Sequence, residues 1–286
     1  MDFKNYLVPG KTGLLIGIGG VSMSPLAEVL HDAGLDIRGS DMAESSNTLT
    51  LRERGIPIHI GHSADNVTDD ISFVIRTAAV HDDNPEVHEA HRRGIPVFER
   101  TQAWGALMRG YQNALCISGT HGKTTTTSMC THIMMAAEKD PTVMIGGTLP
   151  LLKACHRVGK GNTIIMESCE YYNSFLALNP TIAVVLNIEA DHLDFFKDLE
   201  DIKHSFRCFA ERVPAETGTV IANYDDANTM DALRGIARNV ITFGLNAKAD
   251  VYAQNIVHRG SVSEFDIYHR GNYFARVTLH VPGIHN

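Results

Sequence analysis

The sequence predicts an α/β protein in two parts. The first is a Rossmann-like domain on a parallel sheet; the second is a P-loop-type α/β ATPase domain that ends in a short antiparallel β extension. Three observations carry this expectation. Apolar runs of strand length alternate with amphipathic helical stretches from residue 12 onward, a pattern expected of parallel sheets covered by helices. The alternation breaks at Arg109-Gly-Tyr-Gln-Asn113 and restarts with a glycine- and lysine-bearing loop, GTHGKTTTT at 119–127. Beyond about Ala249 the helical patterns stop, and short runs split by Arg-Gly and His-Arg-Gly-Asn suggest a β-meander.

Element by element, Thr12–Ile18 reads as a buried strand. Ser22–Ala33 then places Met23, Leu26, Ala27, Leu30 and Ala33 on one helical face, with Pro25 tolerated in the first turn. Strands are expected at Leu35–Gly39, Ile56–Ile60, Ile71–Thr77 and Ile95–Phe98, with helices over Asn84–Arg93 and up to Met108. After the break, Asn113–Ser118 is a strand and Lys123–Ala137 a helix. Further strands are expected at Thr163–Glu167, Thr181–Asn187 and Gly218–Ala222, with a helix over Leu199–Glu211. The meander takes Asp250–Val257, Val262–His269 and Tyr273–Val281. The expected domains are 1–108 and 109–286, a size that suits two units of about 100–200 residues each.

Composition narrows the function. A net charge of −8 argues against nucleic acid as the main partner, because phosphate-backbone binders need clustered basic surface. Five cysteines without a CxxC pair fit reduced thiols. No apolar run approaches the roughly 18 residues of a membrane span, and MDFKNYLVPGKTG has no signal-like core. The expectation is a cytoplasmic protein without membrane insertion. A homodimer is allowed by the composition and not specified by it.

The loop at 119–127 reads GxxGKT where a common P-loop reads GxxxxGK[ST], two residues shorter. A strand, a glycine turn, a lysine and a helix start together form an anion site, with backbone N–H groups and the helix dipole facing the ligand. Gly119, Thr120, His121, Gly122, Lys123, Thr124 and Thr125 are the candidate nucleotide contacts. Lys123 would reach the β/γ-phosphates, and the Thr124 hydroxyl would face Mg²⁺. A Gly/Thr-rich turn can also just start a helix, but here a strand precedes it directly.

Two acidic clusters lie downstream. IIMESCE at 164–170 ends a strand in Glu167 and Glu170, and VVLNIEADHLD at 184–194 ends another in Asn187, Glu189, Asp191, His192 and Asp194. Ligands of open α/β sheets bind at the carboxyl ends of strands, so three strand ends are expected to converge. Oxygen-rich side chains beside a phosphate loop suit a hard cation such as Mg²⁺.

In the first part, Gly17-Ile-Gly-Gly20 follows the first strand and Asp41 ends the second. That is the layout of a dinucleotide or sugar-nucleotide site. The third glycine of GxGxxG is replaced by Ser22, so a structural turn, NAD and a UDP group all stay open.

Together these segments resemble the Mur ligases over essentially the whole chain. The resemblance rests on GIGGVSMSPLAEVL with GSD at 39–41, GH at 61–62, NPEVHEAHRRGIPVFER at 84–100, GTHGKTTTTSM at 119–129, NIEADHLD at 187–194 and PGIHN at 282–286. NIEADHLD favours the alanine-adding branch. The resemblance implies an ATP-dependent amide ligase of peptidoglycan synthesis that joins L-alanine to the lactyl carboxylate of UDP-N-acetylmuramate through an acyl phosphate. It assigns Lys123, Glu167 and His192 to catalysis, and Thr124, Glu167 and His192 to metal. Asn187, His285 and Asn286 would lie near ATP. Gly17, Gly19, Gly20, Asp41, His62, Thr77 and Ala78 would receive the UDP-sugar.

The chain departs from the family's EADESDxSF by reading ESCEYYNSF, with Cys169 and Tyr172 at usually acidic positions. The family also carries a third, C-terminal domain after PGxHN. The expectation is therefore two of three domains, with weak or absent ligation by these 286 residues alone. Two rivals are a ligase that attaches a preformed peptide to the same sugar and a non-catalytic nucleotide-sugar module. An NAD-dependent dehydrogenase would leave GTHGKT and NIEADHLD without a role.

Overall fold

The computed structural model describes residues 1–281. In its first part, five strands, β1 (Thr12–Ile16), β2 (Asp36–Asp41), β3 (Ile58–Ile60), β4 (Ile71–Arg76) and β5 (Val97–Glu99), form a sheet in the order β3-β2-β1-β4-β5. Every pairing in it is parallel. Helices α1 (Ser24–Asp32), α2 (Ser46–Glu53), α3 (Pro85–Arg92) and α4 (Arg100–Met108) accompany it. β1 is buried along its whole length and has β2 on one side and β4 on the other. The order reverses at β1, so the crevice at its carboxyl end opens beside Gly17.

The second part is a ten-stranded mixed sheet. Its elements are β6 (Asn113–Ser118), α5 (Lys123–Ala136), β7 (Thr142–Leu149), β8 (Ala154–Arg157), β9 (Thr163–Glu167), β10 (Ile182–Val185), α6 (Leu199–Ala210), β11 (Thr219–Asn223), α7 (Ala227–Ala232), β12 (Asn239–Gly244), β13 (Val251–Arg259), β14 (Val262–His269) and β15 (Asn272–Leu279). The strand order is β15-β14-β13-β12-β11-β10-β6-β9-β7-β8. β6 pairs in parallel with β10 on one side and β9 on the other, a second switch point. The meander of β13, β14 and β15 is antiparallel, as the tail's rhythm predicted.

Local chemistry accounts for the elements. α6 starts where the Asp198 carboxylate accepts from the Asp201 N–H at 3.0 Å. It then buries Ile202, Phe206 and Phe209 along one stripe, and Phe175 stacks on Phe209 with ring centroids 4.6 Å apart. β2 runs two residues past its expected end because Asp41 pairs with Ile60. β3 starts only after Pro57, which has no N–H to give a ladder. Five elements have no expectation behind them: α2, β7, β8, α7 and β12. α2 buries only Thr48 and Leu51 and is initiated by its Ser45–Thr48 capping box. β7 carries Gly146-Gly147, and β8 is half-buried throughout, so neither has a clean period of two.

Each sheet has an apolar cluster of its own, and a third cluster spans both. A continuous apolar cluster runs from Phe3 and Phe73 through Trp104 and Met108 to Phe175 and Phe206. α4 is the bridge: the Asn179 side chain donates to the Gly105 carbonyl at 2.8 Å, and the Trp104 indole donates to Ser22 O at 3.2 Å. No helix among the described residues is long and apolar enough to cross a membrane.

Candidate active site

β6 ends in Ser118, fully buried, whose hydroxyl donates to Val184 O of β10 at 2.6 Å. The chain then turns at Gly119, whose φ of +146° leaves no room for a side chain: a Cβ would sit 2.9 Å from Leu186 Cβ. The loop is pinned to the next strand end at several points. Thr120 N–H donates to Asn187 O (3.0 Å) and His121 N–H to Asn187 Oδ1 (2.8 Å), while the Asn187 amide donates back to His121 O (3.1 Å). The Glu189 N–H donates to the Thr120 hydroxyl at 2.9 Å. Asn187 thus fixes the loop's shape with both ends of its amide.

α5 begins directly after Gly122 with no side-chain cap, so the orphan N–H groups of its first turn, which contains Thr125, face the loop's mouth. Lys123 Nζ folds back to donate to Gly119 O (2.6 Å) and Thr120 O (3.1 Å), and reaches Glu170 at 3.1 Å. Thr124 Oγ1 donates to Glu167 Oε1 at 3.0 Å, and the other Glu167 oxygen accepts from Gly146 N–H at 2.7 Å. Thr124 and Glu167 form an all-oxygen pair of the kind a hard cation takes, and an ammonium stands one residue away. The donor set therefore suits a magnesium–nucleotide ligand.

His192 sits elsewhere than beside Glu167. Its Nε2 lies 3.8 Å from Glu170 and 3.9 Å from Asp191, and its ring stacks on Tyr171 at 4.4 Å between centroids. The Tyr171 hydroxyl donates to Asp194, and that carboxylate pushes the phenol's pKa well up. Among the described residues no three His, Cys, Asp or Glu side chains cluster as metal ligands. Of the departures from the family motif, Cys169 is exposed, with its thiol pKa raised by partial desolvation. Tyr172 takes a left-handed φ of +53° beside Asn173 at +55° and is 66% exposed.

In the first domain, the Gly19 N–H donates to Asp41 Oδ2 at 2.8 Å and the Asn47 amide donates to Gly19 O at 2.8 Å. Asp41 therefore shapes the glycine loop as well as facing the cavity beside it. That cavity is lined by Gly17, Asp41, His62 and Thr77; Gly19, Gly20 and Ala78 do not line it. His62 Nδ1 is 2.8 Å from Glu86, whose buried carboxylate also accepts from Ser40 and Asn66. His285 and Asn286 lie outside the described residues.

Two residues near these loops had no individual role assigned from the sequence. Glu170, 2% exposed, holds Lys123; its spacing of three from Glu167 was the available signal. Arg100 stands at the start of α4 and faces a second cavity, between the domains; its place at the end of VFER was the hint.

Residues 117–286 match the family described as Mur ligase middle domain, and residues 15–112 match Mur ligase family, catalytic domain. The chain belongs to the Mur ligase family. A UDP-N-acetylmuramate–L-alanine ligase of Caldicellulosiruptor saccharolyticus is 45% identical over 273 residues, which is 95% of this chain and 60% of the relative. The ligase of that name from Clostridium novyi is 45% identical over 286 residues, 100% of this chain and 62% of the relative. Among solved structures, the UDP-N-acetylmuramate–alanine ligase of Thermotoga maritima superposes with a TM-score of 0.77 at 29% identity, covering 96% of this chain and 61% of that one. The UDP-N-acetylmuramate:L-alanyl-gamma-D-glutamyl-meso-diaminopimelate ligase of Neisseria meningitides superposes with a TM-score of 0.83 at 25% identity, covering 96% and 89%. This Mur ligase chain spans about 60% of the length of the curated relatives it matches. Mur ligases are ATP-dependent ligases, a chemistry that the oxygen and lysine donors of the 119–124 loop suit.

Proposed function

We propose that the chain provides the sugar-nucleotide and ATP sites of an enzyme that ligates L-alanine to UDP-N-acetylmuramate in the cytoplasm, with residues 1–108 holding the UDP-sugar and 109–286 the ATP. The carrying observation is the pairing of Lys123 with Glu170 and of Thr124 with Glu167 where β6 and β9 end side by side. Amide formation needs the lactyl carboxylate activated by phosphorylation before the alanine amine attacks and phosphate leaves. The protein's task in such a transfer is positioning and charge neutralisation.

Each residue has work of that kind. Lys123 would exchange its two carbonyl partners for phosphate oxygens, aimed by Glu170. Thr124 and Glu167 would hold Mg²⁺, which when bound neutralises charge on the phosphates. Asn187 keeps the loop open at the width its two hydrogen bonds set. His192 stands on the Glu170 side, where the acyl group would enter.

Calorimetry on Lys123→Ala tests the reading. ATP affinity should collapse while UDP-N-acetylmuramate binding survives; retained ATP binding would return the chain to a plain nucleotide-sugar module. The fit to the Neisseria peptide ligase supports a second reading, in which a preformed peptide replaces L-alanine. Assaying the full-length enzyme with L-alanine against a tripeptide separates the two.

A further inference from the structure

The space between the two domains is a cleft of about 250 Å³ whose walls include Ser22 and Arg100 from the first domain and Gly146, Glu167, Ser168 and Cys169 from the second. Among the arginines of the described residues, only Arg100 and Arg259 have no hydrogen-bond or ion-pair partner. The others pair with carboxylates or, like Arg212 and Arg238, with backbone carbonyls. Arg259 lies exposed on β13. Arg100 is half-buried, and burial lowers its pKa against the weaker pull of Glu99 and Cys169. The neighbouring Glu99 is already bonded to Arg76 at 2.8 Å.

Helix stability does not account for this arginine. It is the first residue of α4, where the positive end of the helix dipole disfavours a cation. A guanidinium half-withdrawn from water without a partner costs free energy that an anion would offset, and its planar fork matches a carboxylate or phosphate in a two-point grip. Arg100 shares the cleft with Glu167, which touches the phosphate loop through Thr124, and with Ser22, which follows the glycine loop.

We infer that Arg100 is the receptor for an oxyanion of the sugar-nucleotide ligand, the lactyl carboxylate or the diphosphate, reaching it across the cleft from the wall that carries Glu167. This rests on the proposed sugar-nucleotide site.

The test is calorimetry of the full chain and its Arg100→Gln and Arg100→Lys variants with UDP-N-acetylmuramate, UDP-N-acetylglucosamine and UDP. Arg100→Gln should weaken UDP-N-acetylmuramate by roughly ten- to a hundred-fold, the loss expected for a charge-assisted pair. Arg100→Lys should recover part of it. If the carboxylate is the partner, UDP-N-acetylglucosamine, which lacks it, binds both variants like the parent; if the diphosphate is, all three ligands weaken alike. Unchanged affinity for all three in a Gln variant with the parent's unfolding midpoint overturns the inference alone. Failure of the unsubstituted chain to bind any of them overturns the functional reading beneath it.

Discussion

Lys123 and Glu170 meet at 3.1 Å with only 14% and 2% of their side chains exposed. A pair this deep is costly to half-remove, because the remaining charge is left without solvent or partner. Lys123→Ala should therefore destabilise the ligand-free protein by about 3 kcal/mol. Lys123→Ala/Glu170→Gln together should cost less than Lys123→Ala alone. Urea unfolding of Lys123→Ala, Glu170→Gln and the double variant decides it, and additive effects would mean that the pair is not coupled.

Thr124 and Glu167 make a different prediction, because both face the mouth of the loop and not its interior. Thr124→Ala and Glu167→Gln should bind ATP in magnesium buffer no better than the unsubstituted chain binds it in chelator. A magnesium enhancement that survives in both variants would remove this pair from the cation site.

Much of this arrangement was legible in the residues. Strand-length apolar runs ending in GTHGKT, MESCE and NIEADHLD say which side of the sheet carries the polar groups. They do not say which strands are neighbours. That β9 lies directly against β6 follows from long-range packing in which β7 and β8 take the outer places. β7 and β8 themselves lack alternation because Gly146 must let its N–H meet Glu167 and β8 is half-buried along its length. The same limit hid the engagement of Asp41 with the Gly19 N–H. A sequence shows an acid about twenty residues after a glycine loop; only the fold shows that one of its oxygens is already taken. For Arg100 the place at the end of VFER marked the residue but not its surroundings, since the wall facing it comes from the other domain.

Glu89 provides a pH test. Hydrogen bonds from Arg92 and Arg93 hold its carboxyl at about 2, against an ordinary 4.5. The folded pKa is depressed, so its contribution is complete above about pH 4.5 and is lost as pH falls towards 2. Glu89→Gln should lower the unfolding midpoint at pH 6, and the gap to the parent should close as the pH approaches 2. A gap of constant size from pH 6 to 2 would show that Glu89 acts through packing and not charge.

Gly105 faces the Ala177 carbonyl oxygen so closely that an added Cβ would overlap it. In an isolated helix, glycine to alanine gains about 1 kcal/mol. Here the obstacle is backbone, which cannot swing aside, and overpacking costs about 1–3 kcal/mol. Gly105→Ala should therefore be destabilising on balance, measured by thermal unfolding. A stabilised variant would mean that α4 can slide on the 171–177 turn.

Glu167 stands in two places at once: one oxygen meets Thr124 of the phosphate loop, and the same side chain lines the cleft that Arg100 faces. A shared wall is a thermodynamic link. Whatever settles Glu167 for a ligand on one side changes the surface offered to the other, and the factor by which nucleotide alters affinity in the cleft must equal the factor in reverse. Cooperativity between the two ligands would thus need no moving domain. It would be carried by one carboxylate held from behind by the N–H of Gly146.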